Sequence, residues 1–263
     1  MHLPTRPARR VMATTIAIAS LLLLWPTARA VSAQEQAYLS PEGTTTIVPV
    51  SRITRSIRDT YPYRSVARIV STFRDGAKFA GSGIFVSADG VFTAAHIVYK
   101  KDHGGLATKV EITPGYDGGA APFGTTGARR IEVMPEYITT KDPNYDFAAI
   151  ITDDPSVGTR SGWLGFIVPP SINLGTVRII GFPRGGAMTE TSSRGTLSFR
   201  NKIAYTADTE NGMSGAPIII QLGPLDRDYR VIGVHNGAGN GQPINLGTRF
   251  FDAILRNVNR RVR

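Results

Sequence analysis

The chain has 263 residues, with 30 Lys or Arg against 20 Asp or Glu, a formal net charge of +10 and no cysteine. The missing cysteines exclude disulfides, a thiolate nucleophile and cysteine-ligated zinc. The basic residues are scattered apart from the terminal "RNVNRRVR", and no nucleic-acid motif accompanies them, so the charge reads as a solvated, steering surface.

Residues 1–30 read as a secretory signal peptide. Arg6, Arg9 and Arg10 precede the apolar run "VMATTIAIASLLLLW", and Ala28-Arg29-Ala30 offers a small-x-small cleavage site, with a second candidate ending at Ala33. The run is about fifteen residues, short of the roughly twenty that span a bilayer. A secreted, extracellular protein with no membrane attachment after signal removal is expected. The polar stretch 31–46 reads as a propeptide, with the mature start expected between Gly43 and Val48, and a cut after Glu42 would suit self-processing. Loss of residues 1–42 leaves a net charge of about +8.

About 220 residues remain, enough for one sizeable core. Short apolar runs bounded by turn residues recur along them and predict strands: "SVARIVSTF", "RRIEVM", "DFAAIIT", "TVRIIGF", "KIAYTA", "APIIIQL" and "YRVIGVH". Helical stripes are few. The exception is C-terminal, where Phe250, Ile254, Leu255 and Val258 fall at helical spacing and arginines near the end suit the helix dipole. No repeat or low-complexity domain is present.

Three local motifs carry chemistry. In "FTAAHIVYK" a strand ends at Ala94-Ala95 and His96 follows; in "DPNYDFAAIIT" Asp146 opens an apolar run; in "ENGMSGAPI" Ser214 lies among small turn formers. Gly212 and Gly215 permit a tight turn, and the N–H groups of Gly212 and Ser214 can converge on an oxyanion. The order His96, Asp146, Ser214 is that of chymotrypsin; α/β-hydrolases and subtilisins order the same groups differently. Ser214 would attack the carbonyl, His96 would act as general base and then acid, and Asp146 would orient the imidazole. The competitors are weaker. His2 lies in the leader, His103 in a polar loop, Asp142 in a turn before Pro143, and Ser82 in a strand without partners. There is no HExxH motif, and no metal or cofactor is expected. The acidic turns "YDGG" and "DDP" offer calcium ligands but read better as solvated loops.

The chain resembles the secreted bacterial trypsin-like serine proteases, in the glutamyl endopeptidase branch. The likeness runs through "RDTYPYRSVARI", "GSGIFVSADGVFTAAHIVY", "VRIIGFPRGG", "YTADTENGMSGAPI" and "YRVIGVHNGAGN". It implies an all-β fold of two antiparallel six-stranded Greek-key barrels with a C-terminal helix: an N-terminal barrel over 47–158, then a C-terminal barrel and terminal helix over 159–263. It implies a monomer that hydrolyses polypeptides after Glu, and after Asp less readily, through an acyl-enzyme. It also implies a substrate pocket at His235, in "GVHNG", assisted by Thr209 five residues before Ser214. In the family, propeptide removal activates the enzyme, and the freed α-amino group can help bind the acidic side chain. A buried imidazole and a hydroxyl can donate to a carboxylate. The rival reading of His235 is a core histidine on an apolar strand. Some relatives carry Trp after this His, where this chain has Asn236. Two alternatives to the whole reading are a serine protease of other specificity, including the HtrA type, and a catalytically dead trypsin-fold binding protein. Three intact triad residues argue against the second, and no peptide-binding domain follows the barrels.

Overall fold

The strands form where β-branched and aromatic residues alternate with smaller ones, and they assemble into two curled antiparallel sheets. The computed structural model describes residues 51–52, 55–169, 171–198, 201–238 and 244–250, all within one compact unit. The strands are β1 (Ser51–Arg52), β2 (Val66–Thr72), β3 (Lys78–Phe85), β4 (Gly90–Thr93), β5 (Tyr99–Lys100), β6 (Gly105–Leu106) and β7 (Lys109–Pro114). Then follow β8 (Ala128–Val133), β9 (Ala148–Thr152), β10 (Asn173–Gly181) and β11 (Thr189–Ser198). The last are β12 (Lys202–Tyr205), β13 (Pro217–Gln221), β14 (Tyr229–Ala238) and β15 (Asn245–Arg249).

The first sheet has the order β7-β2-β3-β4-β9-β8, and a bridge between Ile112 and Thr126 curls its edges together. Its interior holds Ile69, Phe85, Val91, Val98, Ile112 and Ile150. In the second sheet β10, β13, β14, β15 and β12 follow β11 in turn, and a β12–β11 pairing closes the ring. Val177, Ile179, Ile203, Ile218 and Ile232 fill it. β1 adds to β11 through the pairs Ser51–Glu190 and Arg52–Thr189, so the start of the segment expected to form the first barrel pairs with the second sheet. The fold is therefore mostly β, with two six-stranded barrel-like sheets of chymotrypsin type and, among the described residues, only short helices.

All seven predicted strands are present, shifted by a few residues at most. The expected C-terminal helix lies beyond Phe250, outside the described residues, as do the signal peptide and propeptide. Where the sheets meet, a shared apolar layer includes Val66, Ile84, Phe92, Phe147, Ile180, Phe182, Val231 and Phe250. That layer fixes the two loop systems that carry the candidate site.

Candidate active site

β4 is buried along its whole length, and the chain turns at Ala94 into the short helix Ala95–Val98. Ala95, Ile97 and Val98 are buried, which leaves His96 to face outward from that turn. β4 pairs with β9 so that Thr93 lies opposite Ala148, two residues after Asp146. His96 and Asp146 thereby meet at two points. The His96 Nδ1 lies 2.7 Å from the Asp146 Oδ2, and the His96 amide donates to Oδ1 at 3.0 Å.

Burial is the largest influence on Asp146 and opposes its ionisation. The His96 ring and amide, together with Lys202, outweigh it and hold the carboxyl below its ordinary value. An ionised carboxylate only accepts hydrogen bonds, so the His96 Nδ1 carries a hydrogen, and in the neutral ring the Nε2 lone pair is then the free one. The His96 side chain is 26% exposed against 7% for Asp146, so the imidazole has an open side while its partner does not. Asp142, the rival carboxylate, caps the turn Pro143–Tyr145 by accepting from the Asn144 amide at 2.9 Å. His103 pairs with Asp75 at 2.6 Å instead.

Ser214 is half-buried in a loop between β12 and β13. Gly212 (φ +97°) and Gly215 (φ +82°) both need the left-handed region. A Cβ on Gly215 would come within 2.2 Å of the Ser82 carbonyl oxygen and the Thr93 Oγ1, so no side chain fits there. The Met213 amide donates to the Glu210 carbonyl at 3.0 Å and the Gly215 amide to the His235 carbonyl at 2.7 Å. Among the described residues, the amides of Gly212 and Ser214 have no such acceptor. The Ser214 Oγ donates to the Asn236 carbonyl at 3.4 Å, a long bond, and no hydrogen bond joins it to His96.

Ser82 proves to be a structural cross-link rather than a bystander. Its amide donates to the Ser214 carbonyl at 2.8 Å and its hydroxyl to the Gly212 carbonyl at 2.9 Å, while the hydroxyl accepts from the Phe182 amide at 3.0 Å. His235 lies on β14, 2% exposed, with Nδ1 2.5 Å from the Tyr205 hydroxyl. Its amide donates to the Ala216 carbonyl at 2.8 Å, so the strand that carries it also clasps the serine loop. Burial drives its pKa down to about 3 and keeps the ring neutral. The Leu246 carbonyl also faces the ring. Thr209 is half-buried, and among the described residues no hydrogen bond joins it to His235.

Behind Asp146 lies a group that sequence reasoning did not find. The buried Lys202 on β12 donates to the Pro143 carbonyl, to the Asn236 Oδ1 at 2.8 Å and to the Thr248 Oγ1 at 3.2 Å. The Asn236 Nδ2 donates to the Asp146 carbonyl at 2.8 Å. No spacing signal exists for these contacts, because they join residues that are distant in the chain.

The trypsin-like peptidase domain family matches residues 81–234, more than half of the chain. The chain belongs to this family. Among similar proteins, the protein named extracellular metalloprotease of Bacillus subtilis is 29% identical over 205 residues. Glutamyl endopeptidase of Bacillus licheniformis is 29% identical over 210. Each alignment covers 75% of this chain and 63% of the relative, so the chain spans less than two thirds of their length. Among solved structures, a Glu endopeptidase in complex with MPD is 25% identical at a TM-score of 0.70, covering 82% of this chain and 99% of that one. The protease Anisep of Arthrobacter nicotinovorans, at 21% identity and a TM-score of 0.65 over 75% of this chain and 94% of that one, supports the fold. Among the described residues no group of three or more His, Asp or Glu side chains is placed to hold a metal ion.

Proposed function

We propose that the protein is a secreted serine endopeptidase that hydrolyses peptide bonds, preferentially after Glu, through an acyl-enzyme on Ser214. The observation that carries this reading is the double contact between His96 and Asp146 beside a serine loop whose Gly212 and Ser214 amides have no acceptor among the described residues. A substrate carbonyl seated over those amides would have its developing oxyanion stabilised by both. Ser214 attacks, and His96 Nε2 takes its proton and returns it to the leaving amine. Asp146, held ionised, fixes the tautomer and stabilises the imidazolium.

Glu preference would rest on His235. In the tautomer in which Nδ1 accepts from the Tyr205 hydroxyl, Nε2 carries the hydrogen and is the ring atom able to donate to a carboxylate. The resemblance to glutamyl endopeptidases supports this assignment, with Thr209 as the second donor. The near-complete burial of His235 favours a second reading, in which the serine chemistry stands and the imidazole is a core residue. Secretion after removal of residues 1–30 and activation by loss of 31–46 complete the proposal. Among the described residues no helix is long and apolar enough to cross a membrane.

One experiment tests both parts. The processed protein, its Ser214→Ala variant and its His235→Ala variant digest an unfolded protein mixture, and mass spectrometry maps the cuts. Cuts after Glu that vanish with Ser214→Ala, by about a million-fold in rate, support the nucleophile. Glu preference that survives His235→Ala assigns the histidine to the core. Cuts that persist with Ser214→Ala overturn the mechanism.

A further inference from the structure

Among the described residues Lys202 is the only buried lysine, and none of its hydrogen bonds there is with a carboxylate. Its three N–H groups find three acceptors on three different segments: the Pro143 carbonyl in the turn before Asp146, the Asn236 amide oxygen on β14 and the Thr248 hydroxyl on β15. The arrangement is satisfied throughout. The Asn236 Oδ1 accepts from Lys202 and, at 2.8 Å, from Thr248, which leaves its Nδ2 to donate to the Asp146 carbonyl. The same residue's main-chain carbonyl accepts from the Ser214 Oγ. Asn236 therefore touches both Asp146 and Ser214, and Lys202 fixes which way its amide faces.

A buried ammonium without an ion pair costs several kcal/mol of desolvation, and an apolar side chain of the same length would avoid that cost. Packing alone does not account for it. Resting on the serine-protease reading above, we infer that Lys202 is a positioning residue for catalysis. Through Asn236 and Pro143 it holds Asp146, and with it His96, in register with Ser214 across the two barrels. Its charge also acts on the site. Burial lowers its pKa to about 8, so it is still mostly protonated at neutral pH. The charged and titratable groups around it are Asp142 and Asp146 on the facing turn, His235 on β14 and His96 beyond Asp146. The two carboxylates favour its charged form, and it in turn favours ionised Asp146.

The positional and electrostatic roles have separate signatures. Loss of the anchor loosens Asp146 and slows acylation. Loss of the cation removes a group that favours ionised Asp146, so that carboxyl takes a proton at higher pH and the acidic limb of the rate profile moves upward. A purely structural lysine would shift melting temperature and leave that limb where it is.

The test uses the processed protein with Lys202→Met, Thr248→Val and Ser214→Ala, each read by the rate of fluorophosphonate labelling from pH 5 to 9. Expected for Lys202→Met is a labelling rate about 10- to 100-fold lower at neutral pH, the loss that a small misplacement of a catalytic group brings. Its acidic limb should shift upward, and KM for a Glu substrate should stay near the parent value. Thr248→Val, which removes one acceptor of Lys202 and one donor to Asn236 while keeping the volume, should give a smaller fall in rate with an unmoved limb. Should Lys202→Met not fold, an undiminished rate in Thr248→Val overturns the inference. An unchanged rate and limb in folded Lys202→Met overturns it directly. Failure of the parent itself to label at Ser214 would instead sink the serine-protease reading, and the two failures are thus distinct.

Discussion

Because His235 is buried beside the Tyr205 hydroxyl, its ring stays neutral in the folded chain down to about pH 3, whereas an unfolded chain protonates it near pH 6.5. The folded pKa is depressed, so the unfolded state binds the extra proton within that interval. The stability from a neutral His235 is fully present above about pH 6.5 and drains away as pH falls towards 3. Melting curves of the Ser214→Ala protein across this range, with and without His235→Gln, should show a shallower pH slope in the double variant. Equal slopes would mean that His235 already takes a proton in the folded state. The single residues of the candidate site were unequally legible. His96, Asp146 and Ser214 each announced themselves by local context, because a strand end, an apolar run and a glycine-flanked turn are short-range features. Lys202 and Asn236 did not. Lys202 looked like the first residue of a strand, and its partners at positions 143, 236 and 248 come near it only when the second sheet closes.

At the scale of elements, the serine loop is held by a strand of the other sheet. Ser82, in the middle of β3, uses its hydroxyl to donate to the Gly212 carbonyl and to accept from the buried Phe182 amide. Ser82→Ala would leave the Phe182 amide without an acceptor, at a cost of about 1–3 kcal/mol. The same change frees the Gly212 carbonyl and lets the peptide before Met213 rotate. The expectation is a lower denaturation midpoint together with slower fluorophosphonate labelling at Ser214; a stability loss with unaltered labelling would show that the loop holds its shape without this bond. Sequence found β2, β8, β9, β10, β12, β13 and β14 because each carries an apolar run that fills a barrel. It missed β11, "TETSSRGTLS", whose ten residues are nearly all polar and only partly buried. β11 is a strand because β10 and β12 flank it and satisfy its backbone, a tertiary cause that leaves no hydrophobic period to read. The helix Pro155–Ser161 escaped for a related reason. Asp154 caps it and Pro155 opens it, but seven residues are too few to show a stripe.

For the molecule as a whole, the two sheets are clamped along a shared apolar seam, and four phenylalanine rings form much of that clamp. Phe92 on β4 lies 5.0 Å from Phe147, 5.0 Å from Phe166 and 5.3 Å from Phe250, centroid to centroid. Phe147 directly follows Asp146, and Phe250 directly follows β15 of the second sheet. A ring removed here is felt in two ways. Phe92→Ala should cost about 3–5 kcal/mol from lost contacts and the cavity left behind. At this chain size that lowers the melting temperature by on the order of ten degrees. It should also slow labelling at Ser214 well below the melting range, because the partner ring of Phe147 is gone and Asp146 can drift. Phe73→Ala is the control. Phe73 is equally buried, but it packs on Phe79 and His103 within the first barrel, away from the seam. It should lose comparable stability and keep the parent labelling rate per folded molecule. If both variants label at the parent rate, the seam stabilises the protein without aligning its catalytic groups, and the alignment must come from the hydrogen bonds of Ser82, Asn236 and Lys202 alone.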